Sequence, residues 1–116
     1  MDSVSSGLGH GLFRWGEAQS LGNLGNIAHE RGDYDEAERL HRESLSISLE
    51  IGDRPFEALS LGNLGLIAHE RGDLEEAERL YRESVRIKNE LGVPLGDWYI
   101  ENGYTDPDAE WEFPPA

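Results

Sequence analysis

Apolar residues recur along this chain with a helical period, and they do so twice. Leu21, Leu24, Ile27 and Ala28 fall at i, i+3, i+6 and i+7, and Leu61, Leu64, Ile67 and Ala68 copy them 40 positions later. That spacing gathers one stripe on a helix and is far from the alternation of a strand. Gly32 and Gly72 then end the helices, because glycine takes the left-handed conformation that a helix end often needs. Asp33 and Asp73 cap a second helix, with Glu36 and Glu76 three residues later, the spacing of a capping box. Losing such a cap typically costs ~1 kcal/mol. The second helices are expected to bury Ala37, Leu40, His41, Ser44, Leu45 and Ile51, or Ala77, Leu80, Tyr81, Ser84, Val85 and Leu91. Their outer faces carry acid-first pairs at i, i+4: Asp35 and Arg39, Glu38 and Arg42, Glu75 and Arg79, Glu78 and Arg82. Each pair adds little, so this is a solvated face. Gly52 and Gly92 close the second helices, and Pro55 sits in the first turn of the third, where its missing N–H matters least.

The two helix pairs are copies. Residues 18–52 align with 58–92, and 25 of the 35 positions are identical. Fixed-period self-similarity of this kind marks a solenoid, in which each unit buries its apolar face by stacking on a neighbour. The expected fold is all-α: two tandem helix-turn-helix repeats, about 14–52 and 53–92, forming a short right-handed α-solenoid over 13–92. Residues 1–12, rich in glycine and serine, read as a flexible N-terminal segment. Residues 93–116 hold four of the five prolines, five aromatics and six acids with no base. There, 95–102 is expected as a short capping helix whose Trp98, Tyr99 and Ile100 cover the last repeat. An extended, mobile tail should follow Gly103. Its Trp111 and Phe113, set apart by Asp106-Pro107-Asp108, read as docking anchors for this chain's own groove or a neighbour's. Met1 and Pro114-Pro115-Ala116 are compatible with native ends, and a piece of a longer repeat array is the open alternative.

The pattern resembles a tetratricopeptide repeat protein. Leu24-Gly25, Gly32-Asp33 and Ala37, repeated as Leu64-Gly65, Gly72-Asp73 and Ala77, match that family's signature. Close approach is the physical reason, with glycine and alanine facing each other where the two helices cross. The 40-residue spacing is similar to the longer variant seen in kinesin light chains and many prokaryotic regulators. The family's early tryptophan or tyrosine is leucine here (Leu21, Leu61), and two repeats stand where three or more are usual. The resemblance implies a concave face lined by the first helices, on which a partner's peptide or helix lies. Carried over by motif, that face holds Gln19, Gly22, Asn23, Asn26, His29 and Glu30, then Leu59, Gly62, Asn63, Leu66, His69 and Glu70. Asn23 and Asn63 are the strongest candidates, because an amide both donates to and accepts from a peptide backbone. The alternative for them is a hydrogen bond to a neighbouring helix or to water. Gly22 and Gly62 leave room for the ligand's main chain. One subfamily grips an acidic C-terminal carboxylate with lysine and arginine on this face. Gln19, Gly22 and Asn23 stand there instead, so a neutral or basic peptide fits better.

Charge narrows the partners further. Ten basic residues against 24 acidic ones give a net −14, which disfavours nucleic acid and anionic membranes. There is no cysteine, no basic start followed by an apolar run, and no stretch of about 18 apolar residues. A soluble, cytoplasmic protein is the expectation. His29 and His69, each beside a glutamate, do not make a metal site by spacing alone, since ligation needs three or four groups converging at ~2 Å. No phosphate-binding loop or nucleophile motif is present, so no cofactor, no catalytic residue and no enzyme are expected. The reading is a protein-interaction module. The alternative is a self-assembly element whose under-capped ends stack, or whose tails exchange, to form a homo-oligomer.

Only Lys88 is lysine; the other nine basic residues are arginine. Many carboxylates with almost no lysine resemble the proteome style of salt-loving organisms, where screening relieves the self-repulsion of an acidic surface. An ordinary acidic protein kept soluble by its charge is the alternative. The halophilic reading predicts cooperative folding in molar KCl and loss of helicity at low salt. A circular dichroism spectrum indifferent to salt would sink it.

Overall fold

The computed structural model describes the backbone of residues 2–115 and the side chains of residues 12–115. Five helices follow one another: α1 (Asp2–Glu30), α2 (Tyr34–Ile51), α3 (Arg54–Glu70), α4 (Leu74–Leu91) and the short α5 (Asp97–Glu101). They divide into two compact units, Met1–Asp53 and Arg54–Ala116. Unit 1 is the α1/α2 hairpin; unit 2 is the α3/α4 hairpin with α5 and the C-terminal segment.

The turns form as the glycines dictate. Gly32 and Gly72 adopt φ of 78° and 83°. Their N–H groups donate to the carbonyls of His29 and His69, while Asp33 and Asp73 donate to those of Ala28 and Ala68 at 2.9 Å. These bonds close the first helix of each pair as a Schellman turn. The same aspartates accept from the backbone N–H of Glu36 and Glu76, and so cap α2 and α4. The reciprocal half of the capping box is missing. The aspartate N–H groups are already spent on the preceding turn, and the carboxylates of Glu36 and Glu76 bond Arg39 and Arg79 at 2.6 Å.

Each hairpin is held by the same three contacts. Ser44 Oγ donates to the Ala18 carbonyl, and Ser84 Oγ to that of Ala58, both at 2.8 Å and fully buried. Arg14 pairs with Glu50, and Arg54 with Glu90, across the open end. Gly25 lies against the His41 ring and Gly65 against that of Tyr81. A Cβ on either glycine would fall 2.7–2.8 Å from ring atoms. The expected glycine–alanine facing is therefore a glycine–ring contact: Ala37 and Ala77 are buried, but the aromatic side chain is what needs the missing Cβ.

Several expectations need correction. Helix α1 begins at Asp2, so it takes in most of the stretch expected as a flexible segment at 1–12. No proline interrupts the backbone ladder there. Met1, and side chains up to Gly11, lie outside the described residues. On the second helices Ile47, Ser48 and Ile87 are buried, whereas Leu45 and Ile51 are half-buried and Leu91 is exposed. The helix period carries the buried stripe to those positions by the last turn. Leu24 and Ile27 are 52% and 44% exposed, although their copies Leu64 and Ile67 are 2% exposed. Within unit 1, α2 packs on the Ala18, Gly25 and Ala28 side of α1 and leaves Leu24 and Ile27 uncovered.

The tail is not extended. Arg82 donates to the carbonyls of Pro107 and Ala109 at 2.8 and 2.7 Å, and its guanidinium lies 4.5 Å from the Trp111 ring centre. Arg86 pairs with Asp108 at 2.9 Å, and Asn89 donates to the Thr105 carbonyl. Trp111 stacks on Tyr104, which is 1% exposed, at 4.5 Å between centroids. The segment thus folds back on α4 of its own unit. Aromatic burial and arginine-to-carbonyl bonds replace the hydration that an acidic segment would otherwise keep.

The Gly65 contact gives a direct prediction. Gly65→Ala should destabilise by about 1–3 kcal/mol, because the Tyr81 ring must give way. Gly16→Ala, with open space around its Cβ, should stabilise by up to ~1 kcal/mol. Urea midpoints of the two variants check the pair.

His41 gives a second. It is 1% exposed, its Nδ1 has no hydrogen-bond partner among the described residues, and burial, with a smaller push from His29, lowers its pKa. The unfolded chain therefore takes up a proton near pH 6.5 that the native state refuses. Stability is full above that pH and is lost as pH falls through it, by at most about 1.4 kcal/mol per pH unit. Urea melts from pH 7.5 to 5.5 should show this decline. His41→Tyr, which copies the second repeat, should remove most of it.

Candidate functional site

Unit 2 contains a cavity of about 490 Å³ walled by three helices. One face of α3 supplies Ala58, Leu59, Gly62, Asn63, Leu66, His69 and Glu70; α4 supplies Tyr81 and Lys88; α5 supplies Trp98 and Tyr99. These α3 residues share a face because they recur at helical spacing. The other face of α3 is spent on the core, where Leu61, Leu64 and Ile67 are buried. Helix α5 reaches the cavity because the Gly92 turn, with φ of 70°, ends α4 and lets the chain reverse.

The walls are mostly aromatic and tightly coupled. Trp98 lies 5.0 Å from both Tyr81 and Tyr99, the latter edge-on. His69 stands between Tyr81 and Phe113, and its Nδ1 is 3.4 Å from the Tyr81 hydroxyl. Burial raises the pKa of Tyr81 and Tyr99, so both phenols stay protonated and neutral at ordinary pH. A Cβ on Gly62 would stand 3.7 Å from the Tyr99 hydroxyl and 3.6 Å from Ser84 Oγ, ordinary contact distances. Lys88 lies with its Nζ 5.1 Å from the Tyr99 ring centre, and burial lowers its pKa. Asn63 is half-buried, and its amide makes no hydrogen bond among the described residues.

All six second-repeat residues singled out from the sequence, Leu59, Gly62, Asn63, Leu66, His69 and Glu70, line this one cavity. Their counterparts in unit 1 sit on α1. There Gln19, Asn23, Asn26 and Glu30 are exposed, Gly22 and His29 are half-buried, and His29 packs near Tyr34 at 5.7 Å. Of the expected cap residues, Trp98 and Tyr99 turn inward, while Ile100 is 55% exposed, on the outer side of α5. Among the described residues no three histidine, aspartate or glutamate side chains gather as a metal site would require.

Motif carry-over missed Ala58 as well as Trp98 and Tyr99, which were expected only as a cap, and it missed Tyr81 and Lys88, which belong to the second helix. A signal for them was present. The two repeats differ at ten of 35 aligned positions, and six of those carry unit 2's own features. Leu59, Leu66, Tyr81 and Lys88 line the cavity where the first repeat has Gln19, Asn26, His41 and Ser48. Arg86 and Asn89 hold the tail where the first repeat has Ser46 and Leu49.

The lining combines apolar and aromatic walls with one amide, one imidazole, one carboxylate and one amine. Among the described residues no helix is long and apolar enough to cross a membrane. Comparison with known proteins agrees with a binding scaffold. The tetratricopeptide repeat family model matches residues 16–90. No curated protein and no solved structure matches the chain significantly. Tetratricopeptide repeats are non-catalytic helical scaffolds that generally bind protein partners. With two-thirds of its length matched and both helical hairpins in place, the chain belongs to the tetratricopeptide repeat family.

Proposed function

We propose that this chain is a protein–protein interaction module that takes a peptide or helix of a partner on the faces of α1 and α3 named above. The observation that carries this reading is Asn63. Its amide sits in an apolar, aromatic cavity with both hydrogen-bonding ends unused among the described residues. A half-buried amide is best satisfied by a peptide backbone, which offers it a donor and an acceptor together. Leu59, Leu66 and Trp98 around it supply the apolar contact that gives such a complex its affinity. The net charge of −14 favours a neutral or basic partner. The role is binding without catalysis, and the setting is the cytoplasm.

A second reading, self-assembly, is favoured by α1. Leu12, Phe13, Trp15, Leu24 and Ile27 are all exposed on it, an unusual apolar load for one helix. The two readings separate in solution. Light scattering on the full chain should return the 13.0 kDa monomer if the partner is another protein, and a multiple of it if the chain stacks on itself.

Peptide selection tests the first reading. Peptides chosen from a random display library against the full chain should lose at least about tenfold in capture with Asn63→Ala or Leu66→Glu, and less with Asn23→Ala. Helicity should be kept, since asparagine is a poor mid-helix residue and alanine the best. Leu49→Glu, on the exposed side of α2, serves as control. Capture unchanged by Asn63→Ala and Leu66→Glu would move the site elsewhere.

A further inference from the structure

One face of α1 stands bare although the same residues are covered in α3. Ser20, Leu24 and Ile27 are exposed, whereas their copies Ser60, Leu64 and Ile67 are 1%, 2% and 2% exposed. The face is therefore of a kind that this chain buries where it can. Phe13 lies on the same side of α1 and is 70% exposed, where the second repeat has Asp53. Phe13, Glu17, Ser20, Leu24, Ile27 and Arg31 follow steps of four and three, the spacing of a helix-pairing seam. Arg31 keeps that geometry, since its N–H donates to the Ile27 carbonyl at 3.1 Å.

A groove of about 360 Å³ runs beside the seam. Leu24, Ile27, Ala28 and Leu40 give it an apolar lining, and Arg31, Asp33, Glu36 and Arg39 give it charges. Three of those charges are engaged: Asp33 caps α2, and Glu36 pairs with Arg39. The Arg31 guanidinium has no hydrogen bond or ion pair among the described residues. An apolar wall, a projecting ring and an uncommitted cation thus share one helix face.

That face complements itself when a second copy lies antiparallel on it. In a parallel pair Glu17 would meet Glu17 and Arg31 would meet Arg31, like charge against like. In an antiparallel pair Phe13 of each copy falls at the other's Arg31, beside the groove, and Ser20 falls opposite Leu24. Each Arg31 then lies between the Phe13 ring and the Glu17 carboxylate one turn further on, and a guanidinium can use both. The small Ser20 leaves room for Leu24. Head-to-tail stacking would need the outer side of α4, which already holds this chain's own tail through Arg82, Arg86 and Asn89.

We infer that the chain forms a two-fold dimer in which α1 packs antiparallel on α1 of a second copy. This rests on the self-assembly reading above and names its seam, its partner and its number of copies. Like surfaces related by a two-fold axis close on each other, so assembly stops at two. Each copy carries a net −14, so screening by salt tightens the pair.

Sedimentation and cross-linking of the full chain test it. In molar KCl the mass should be twice 13.0 kDa. Leu24→Glu or Phe13→Ser should weaken association at least about tenfold, with circular dichroism showing both variants folded. Leu49→Glu, on the exposed side of α2, should leave it unchanged. The chain has no cysteine, so single cysteines report the register. A short bis-maleimide should join two Ser20→Cys chains, whose labelled sites lie about 6 Å apart along the seam. It should not join two Arg31→Cys chains, whose sites lie about 27 Å apart. A larger multiple, or a dimer indifferent to Leu24→Glu and not joined through Ser20→Cys, overturns the seam and leaves self-assembly standing. A monomer at every concentration and salt overturns both. If display-selected peptides on that monomer are lost with Leu24→Glu, the face belongs to another protein.

Discussion

Where α3 crosses α4, the Tyr81 ring fills the space that a side chain on Gly65 would take, and His41 does the same against Gly25 where α1 crosses α2. This approach sets the separation of each helix pair, and the buried Ser84-to-Ala58 and Ser44-to-Ala18 hydrogen bonds fix its register. Such a contact is intolerant of added volume, because a ring flanked by core residues cannot retreat without opening a void beside it. The cavity depends on it directly: Tyr81 lines the cavity while it packs on Gly65. The helix crossing and the cavity wall share one side chain there.

The hairpins use the same internal contacts yet present different surfaces. In unit 1 the ring at the crossing is a buried imidazole with an unsatisfied nitrogen, and the exposed face of α1 carries amides and glutamate. In unit 2 the ring is a phenol within a cluster formed with Trp98, Tyr99 and His69. A repeat has few surface positions free to change once its turns, caps and crossing are provided for. Differences between copies therefore concentrate where chemistry is added, at the cavity wall and under the tail.

The C-terminal segment shows how an acidic, proline-interrupted stretch can still fold. Arg82 bonds Glu78, two tail carbonyls and the face of Trp111 at once, and the hydrogen bond from Arg86 lowers the pKa of Asp108. A planar guanidinium can do this because its donors and its ring-stacking face are separate. Tyr104, stacked under Trp111 and donating to the Glu112 carbonyl, closes the fold-back.

The sequence by itself determined whatever is local and periodic. Glycines at 32, 52, 72 and 92 placed the helix ends, since positive φ at a turn leaves little other choice. The apolar stripes named the helices, the duplication named the repeat and the hairpins, and the resemblance to tetratricopeptide repeats pointed to the α3 residues that line the cavity. Tertiary structure alone decided what depends on contacts between distant segments. Nothing in the spacing of Lys88 shows that it borders the same space as Leu59 and Trp98, because that requires α5 to return across α4. The tail's composition indicated an extended, mobile segment, since composition counts charges and prolines but does not see the arginines waiting on α4. Leu24 and Ile27 looked as buried as Leu64 and Ile67, because a stripe specifies a face of a helix and leaves open whether anything packs against it.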